Sequence, residues 1–217
     1  MNPLRIRYQT LEFGDVDIHL QTLRDSQQFS EADAAAAEQL GVSPSSWALF
    51  GLLWPSGEVL AHFLHDFETT GKRILEVGCG IGLSSLLLNQ RHADITSTDY
   101  NPAAGEFLAK NVSLNHGQSI PFVCTGWKEK LTTLGEFDLI IGSDILYEPD
   151  HITLLSDFIN QHTKPHCEVI LVDPGRGNHA KFSKRMISLG YSHSQSKPLH
   201  TDYLSKPFKG QILRYAR

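Results

Sequence analysis

The run ILEVGCGIGLSSLLL at residues 74–88 limits this chain's possible folds more than any other stretch. A short apolar segment ends at Val77. Gly78, Gly80 and Gly82 then open a turn, and Leu83, Leu86 and Leu87 mark one face of a following helix. Strand, glycine turn and helix in that order form the first half of a βαβ unit. Backbone amides at such a helix start favour anionic or electron-rich groups, and the missing side chains allow a ligand to come close. A tight turn made for its own sake is the competing reading. The next strand candidate, DITSTDYNP, weighs against it by placing Asp99 at a strand end, 21 residues beyond Gly78. That is where an acid accepting ribose hydroxyls is expected in a nucleoside-binding unit. The other role open to Asp99 is a cap for the helix starting near Pro102.

The pattern after Lys72 extends this unit. Short apolar runs at 73–77, 94–98, 120–124, 137–142 and 168–172 alternate with amphipathic stretches at 83–91, 103–115, 151–161 and 179–189. Such alternation predicts an α/β fold, a mostly parallel sheet flanked by helices with right-handed crossovers. The segments YSHSQS and GQILRYAR predict an antiparallel pair closing one edge. Ahead of the core, LRIRYQTLEF and VDIHLQTLR alternate with period two about Gly14-Asp15 and predict a β-hairpin. The alanine-rich SEADAAAAEQLG reads as a helix capped by Ser30. A second helix follows Pro55-Ser56-Gly57, with Val59, Leu60, Phe63, Leu64 and Phe67 at the helical period. The expected division is an accessory region at residues 1–45 and one domain at 46–217.

Composition narrows the function. At 41% hydrophobic and 20% charged, the 217 residues can build one core. A net charge of −5 gives no global field for a phosphate backbone, so bulk nucleic-acid binding is not expected. Cys79, Cys124 and Cys167 are far apart and supply no metal-ligand spacing, which fits a reducing cytoplasm. The start of the chain has no apolar signal core and no run is long enough to cross a bilayer, so a cytoplasmic protein without a membrane segment is expected. His62 and His65 form H-x-x-H without further ligands nearby, and Ser143 lacks a G-x-S-x-G setting; neither a metal site nor a serine hydrolase is expected.

The ligand class follows from what flanks the glycines. A dinucleotide site calls for G-x-G-x-x-G, yet here the third glycine comes one residue early. Glu76, just before the turn, would repel a pyrophosphate but suits a ligand carrying an amino group and a sulfonium. EVGCGIG with TDYNP resembles the first two motifs of the seven-strand, Rossmann-like S-adenosyl-L-methionine-dependent methyltransferases. The resemblance implies that Gly78, Cys79, Gly80 and Gly82 sit against the methionine portion together with Glu76. It gives Asp99 the ribose and places Tyr100 and Asn101 beside the adenosine. TGWKE, GSDILYEPD, LVDPGRG and WPSG further resemble motifs of the protein-lysine methyltransferase-like branch, over about residues 47–180. By that resemblance Trp127 lies against the adenine, Asp144 and Tyr147 form the D-x-x-Y group at the methyl-transfer site, and Trp54, Asp173 and Arg176 border the acceptor.

Read from the residues alone, these later positions are less sharp. Asp144 ends an apolar run, where α/β sheets bind ligands, or it caps the next turn. Tyr147 serves the substrate or packs. Trp127 is a cofactor wall or core, and packing is the default for Trp47 and Trp54. Asp173 borders an acceptor channel with Arg176 paired to it or to an acidic partner surface, or the two form a structural turn and salt bridge. The resulting expectation is methyl transfer from S-adenosyl-L-methionine to a protein lysine by direct displacement, with S-adenosyl-L-homocysteine as product. A small-molecule N- or O-methyltransferase and a non-catalytic cofactor-binding module are the alternatives. A monomer with a protein acceptor is expected.

Overall fold

The computed structural model describes residues 5–26, 44–128 and 132–217. The alanine-rich helix expected at residues 30–41 lies outside the described residues. Strands β1 (Ile6–Phe13) and β2 (Val16–Leu23) form an antiparallel hairpin in which Phe13 faces Val16 across the Gly14-Asp15 turn. A 3-10 helix over Pro44–Gly51 leads to α1 (Pro55–His65). Helix α1 starts with Pro55 in its first turn, where the missing N–H costs nothing.

The core follows as β3 (Arg73–Val77), α2 (Leu83–Gln90), β4 (Asp94–Asp99), α3 (Pro102–Leu114) and β5 (Phe122–Cys124). The second half contains β6 (Phe137–Ser143), α4 (His151–His162), β7 (Thr163–Asp173), α5 (His179–Ser188), β8 (Ser192–Ser196) and β9 (Gln211–Ala216). Seven strands make one sheet in the order β5-β4-β3-β6-β7-β9-β8. The first five are parallel, and β9 pairs antiparallel with both β7 and β8. The chain reverses direction of travel at β3, between β4 and β6. Open α/β sheets hold ligands in the crevice at such a switch point, beyond the carboxyl ends of the strands.

Alternating side chains divide the core into two layers. Ile74, Ile95, Leu139, Ile141, Ile170 and Val172 pack with α1, α2, α3 and the hairpin on one face. Leu75, Val77, Ile140, Val169 and Leu171 pack with α4 and α5 on the other. The hairpin is joined to the core by more than apolar contact. Asn111 and Asn115, one turn apart on α3, act on β2 as a neighbouring strand would. Asn111 Oδ1 accepts from Gln21 N at 2.7 Å and its Nδ2 donates to Gln21 O; Asn115 does the same for His19 at 2.8 and 2.7 Å. Two buried side-chain amides thereby satisfy an unpaired sheet edge.

Helix α1 starts at Pro55 and ends at His65, ahead of Phe67, and two strand starts also depart from expectation. Strand β5 begins at Phe122 rather than Ile120, whose side chain is buried. Strand β7 begins at Thr163 rather than Glu168. Its early part holds Pro165 and pairs with β6 only at Phe137, ahead of a register shift, while β9 joins β7 from Glu168 onward. A proline is tolerated there because that stretch has a free edge.

Candidate active site

Strands β3, β4 and β6 end at one cavity of about 460 Å³, bordered also by the 3-10 helix and the start of α1. At its base lies the turn that follows β3. Gly78 and Gly80 line it, both with positive φ. A Cβ on Gly80 would come within 2.8 Å of Phe50 O, so a side chain there is opposed by both φ and space. Cys79 lines the cavity as a buried thiol, and burial with the nearby Asp99 and Glu76 carboxylates pushes its pKa well up. It stays protonated and is not a nucleophile.

Two buried carboxylates face this turn. Glu76 Oε2 accepts from Ser85 N at 3.0 Å and from Ser85 Oγ, in the first turn of α2. Ser85 Oγ also contacts Ser97 Oγ at 2.7 Å. Burial nevertheless pushes the Glu76 pKa up to about 7, with the Asp99 charge acting in the same direction against the Ser85 hydrogen bonds. Asp99 accepts from Gly80 N and Asn101 N, each at 2.9 Å, and burial raises it to about 6 against those amides. A cation entering here would favour the ionised form of both acids.

The mouth of the cavity is aromatic and carboxylate-lined. Tyr100 and Tyr147 both border it, close enough for each phenol to influence the other electrostatically. Burial raises both phenols, which stay neutral. His151 stands edge-on to Tyr147 at 4.6 Å and to Trp127 at 4.9 Å, and its Nδ1 lies 2.8 Å from Ile145 O. Trp127 is half-buried and lines the cavity. Trp54 lines it from the opposite side, with its indole N–H donating to Leu49 O at 2.9 Å.

Asp144 leaves β6 with a φ of 53°, a left-handed conformation that aspartate tolerates better than most residues. Its N–H donates to Val172 O, and both carboxylate oxygens are held by Arg176, from Nε at 2.5 Å and Nη2 at 2.8 Å. The sequence left open a pairing of Arg176 with Asp173; the structure instead gives it to Asp144, and Arg176 also borders the cavity.

Three of the expected site residues do not line the cavity. Asn101 is fully buried and structural: its Oδ1 caps α3 by accepting from Ala103 N, and its Nδ2 donates to Trp47 O. Gly82, with φ of 78°, is the residue before α2, and a side chain there would meet Leu108. Asp173 is buried and accepts from Gly175 N at 2.7 Å, shaping the turn that presents Arg176. Conversely, the stretch around Leu49, Phe50 and Leu53 lines the cavity as well as packing. Its sequence signal was a dense apolar run without a helical period. Ser84, Glu148 and Asp150 are further lining residues, lying within the quoted ILEVGCGIGLSSLLL and GSDILYEPD stretches but not singled out there. His62 has no such role; it stacks on Tyr203 at 3.6 Å and packs on Phe13. Among the described residues, no group of three His, Cys, Asp or Glu could hold a metal, and no helix is long and apolar enough to cross a membrane.

A seven-stranded sheet in this order, with a glycine turn after its first core strand and acids at the next strand ends, defines the seven-strand methyltransferase fold. A methyltransferase from Pyrococcus furiosus has the same fold, with a TM-score of 0.59 and 21% identity over 85% of this chain and 94% of that one. So does the magnesium protoporphyrin IX methyltransferase of Synechocystis, solved with bound S-adenosylmethionine, at a TM-score of 0.58, 19% identity, and 89% and 86% coverage. The family model described as lysine methyltransferase matches residues 45–188, and the chain belongs to that family. The electron transfer flavoprotein beta subunit lysine methyltransferase of Xenopus laevis is 30% identical over 145 residues, 65% of this chain and 56% of that protein. The EEF1A lysine methyltransferase 3 of Mus musculus is 24% identical over 75% of this chain and 74% of that protein. This chain thus spans little more than half the length of the flavoprotein-modifying relatives it matches.

Proposed function

We propose that the chain is an S-adenosyl-L-methionine-dependent methyltransferase whose acceptor is the amine of a protein lysine. The observation that carries this reading is a single cavity that joins an acidic buried base, Glu76 and Asp99 beside the glycine turn, to a mouth holding Asp144 and Tyr147. The family membership supports the choice of lysine.

The base suits this cofactor chemically. Two carboxylates held above their ordinary range by burial have unspent attraction for positive charge, which an amino group and a sulfonium supply and a pyrophosphate does not. Asp99, anchored by two backbone amides, keeps lone pairs for ribose hydroxyls. Trp127 and Tyr100 offer flat surfaces for an adenine. When bound, S-adenosyl-L-methionine supplies a methyl group on an excellent leaving group, so no covalent protein intermediate is needed.

The residues at the mouth therefore position the acceptor. Trp54, Leu53 and Trp127 exclude water, and that desolvation lowers the pKa of an entering lysine so that the neutral amine is accessible. Asp144 and the Tyr147 hydroxyl accept from the amine N–H groups and aim its lone pair inward. Because Arg176 occupies both Asp144 oxygens from one side, the carboxylate is fixed in orientation and acts as an orienter. The product amine passes its proton to solvent at the mouth. A monomeric cytoplasmic enzyme completes the proposal.

The test is transfer of label from tritiated S-adenosyl-L-methionine into a cell lysate. Label recovered as methyl-lysine from one protein, lost in Asp144→Ala while cofactor binding persists, is the expected result. Label in metabolites alone would point to a small-molecule acceptor, and intact binding without transfer to a non-catalytic module.

A further inference from the structure

A second groove, of about 350 Å³, adjoins the Asp144–Arg176 pair. It shares Trp54, Asp144 and Arg176 with the cavity and is otherwise built from α1, the turn after β7 and the segment before β9. Pro55, Pro174 and Phe208 give it an apolar surface, and Lys206 and Lys209 stand exposed at its edge. Among the described residues neither lysine has an ion pair or hydrogen bond. Arg176 spends its charge on Asp144, so the uncommitted positive charge here is that of the two lysines.

The two mouths therefore differ in sign. At the cavity the exposed carboxylates of Glu148 and Asp150 outnumber Lys128, while Lys206 and Lys209 border the adjoining groove with no acid other than the Arg176-paired Asp144. We propose that this groove is an acceptor subsite for an acidic side chain, an Asp or Glu close in sequence to the target lysine. The target lysine enters between Trp54 and the Asp144–Tyr147 pair, drawn by the acidic rim. Its acidic neighbour lies across Pro174 and Phe208 and meets the ammonium groups of Lys206 and Lys209. The chain as a whole is negative at −5, so attraction of an acidic segment must come from this local patch and not from the overall field. The same balance disfavours a nucleic-acid strand. Two lysines beside a small apolar groove match one or two carboxylates better than a run of phosphates. This inference rests on the lysine-methyltransferase reading given above.

The experiment is fluorescence anisotropy at low ionic strength, with the protein saturated with S-adenosyl-L-homocysteine. The probes are fluorescein-labelled 12-residue peptides with a central lysine, flanked by glutamates, by glutamines or by arginines. The glutamate peptide should bind the tightest, and Lys206→Glu with Lys209→Glu should weaken it by about tenfold, an effect that fades with added salt. Binding of S-adenosyl-L-homocysteine to that variant, measured by calorimetry, should be unchanged. Equal binding of the three peptides, equal binding by the charge-reversed variant, or displacement of the peptide by a single-stranded oligonucleotide at lower concentration than by unlabelled peptide would each overturn the subsite. Failure of wild-type protein to bind S-adenosyl-L-homocysteine at all would instead count against the methyltransferase reading, independently of the peptide results.

Discussion

Glu76→Gln should make the cofactor-free protein more stable at alkaline pH while removing its grip on the cofactor. Glu76 is 4% exposed, and burial lifts its pKa from 4.5 to about 7. A carboxyl raised on folding contributes stability in its protonated form below pH 4.5 and loses it as pH rises through 7. Keeping it ionised in the folded state above that range costs about 3 kcal/mol. Between pH 6 and pH 8 the wild-type protein should lose on the order of 1 kcal/mol through this group, or a few °C in Tm. Glutamine keeps the acceptor for Ser85 N and cannot ionise, so the variant should lack that part of the pH dependence. The same proton opposes a cationic ligand, so S-adenosyl-L-methionine should bind wild type about tenfold more tightly at pH 8 than at pH 6. Thermal unfolding at the two pH values, with calorimetry in buffers of different ionisation enthalpy, reads both effects. Parallel pH profiles for wild type and variant, or cofactor affinity independent of pH, would refute the argument.

Other perturbations separate the remaining parts of the account. Asn111→Ala should cost about 2 kcal/mol, because it strands the N–H and C=O of Gln21 along with Ile81 O, and should lower Tm by about 6 °C. Chemical unfolding would check this, and a loss below 0.5 kcal/mol would show that the amide clamp on β2 is incidental, about the scale of a neutral surface change. Tyr147→Phe should lower kcat about tenfold or more, with cofactor affinity retained, if its hydroxyl orients the amine; an unchanged kcat would assign Tyr147 to packing. Gly80→Ala should abolish cofactor binding and destabilise the fold, since its Cβ would meet Phe50 O at a positive φ. Retained binding measured by calorimetry would contradict the close-approach argument.

What the sequence revealed and what it hid have a common physical origin. Strands β3, β6 and the main part of β7 were legible because both faces are buried and their apolar runs stop at Gly78, Asp144 and Asp173, whereas β4, whose one aliphatic residue is Ile95, was legible from the spacing of Asp99 to the glycine turn. The hairpin was legible because its turn and alternation are local. Pairings that cross the chain were not. Nothing near Asn111 and Asn115 marks them as partners of a strand 90 and 96 residues away, and on an amphipathic helix they look like ordinary polar positions. The same limit applies to Arg176, which reaches Asp144 across 32 residues, where the local D-P-G-R turn pointed equally to Asp173. Asn101 shows the converse case, a position beside a motif that does not line the cavity. Its place next to Asp99 put it beside the expected nucleoside, yet an asparagine ahead of Pro102 at a helix start has a sufficient local role as a cap.

In the proposed arrangement the residues at the carboxyl ends of β3, β4 and β6 hold the cofactor with its reactive end toward Asp144 and Tyr147. A crystal structure with S-adenosyl-L-homocysteine tests it directly. The ribose hydroxyls should lie within about 3 Å of Asp99, the amino group should approach Glu76 through the glycine turn, and the sulfur should face the Asp144–Tyr147 mouth. A ligand bound outside this cavity, or one bound in it with the sulfur turned away from that mouth, would contradict the account.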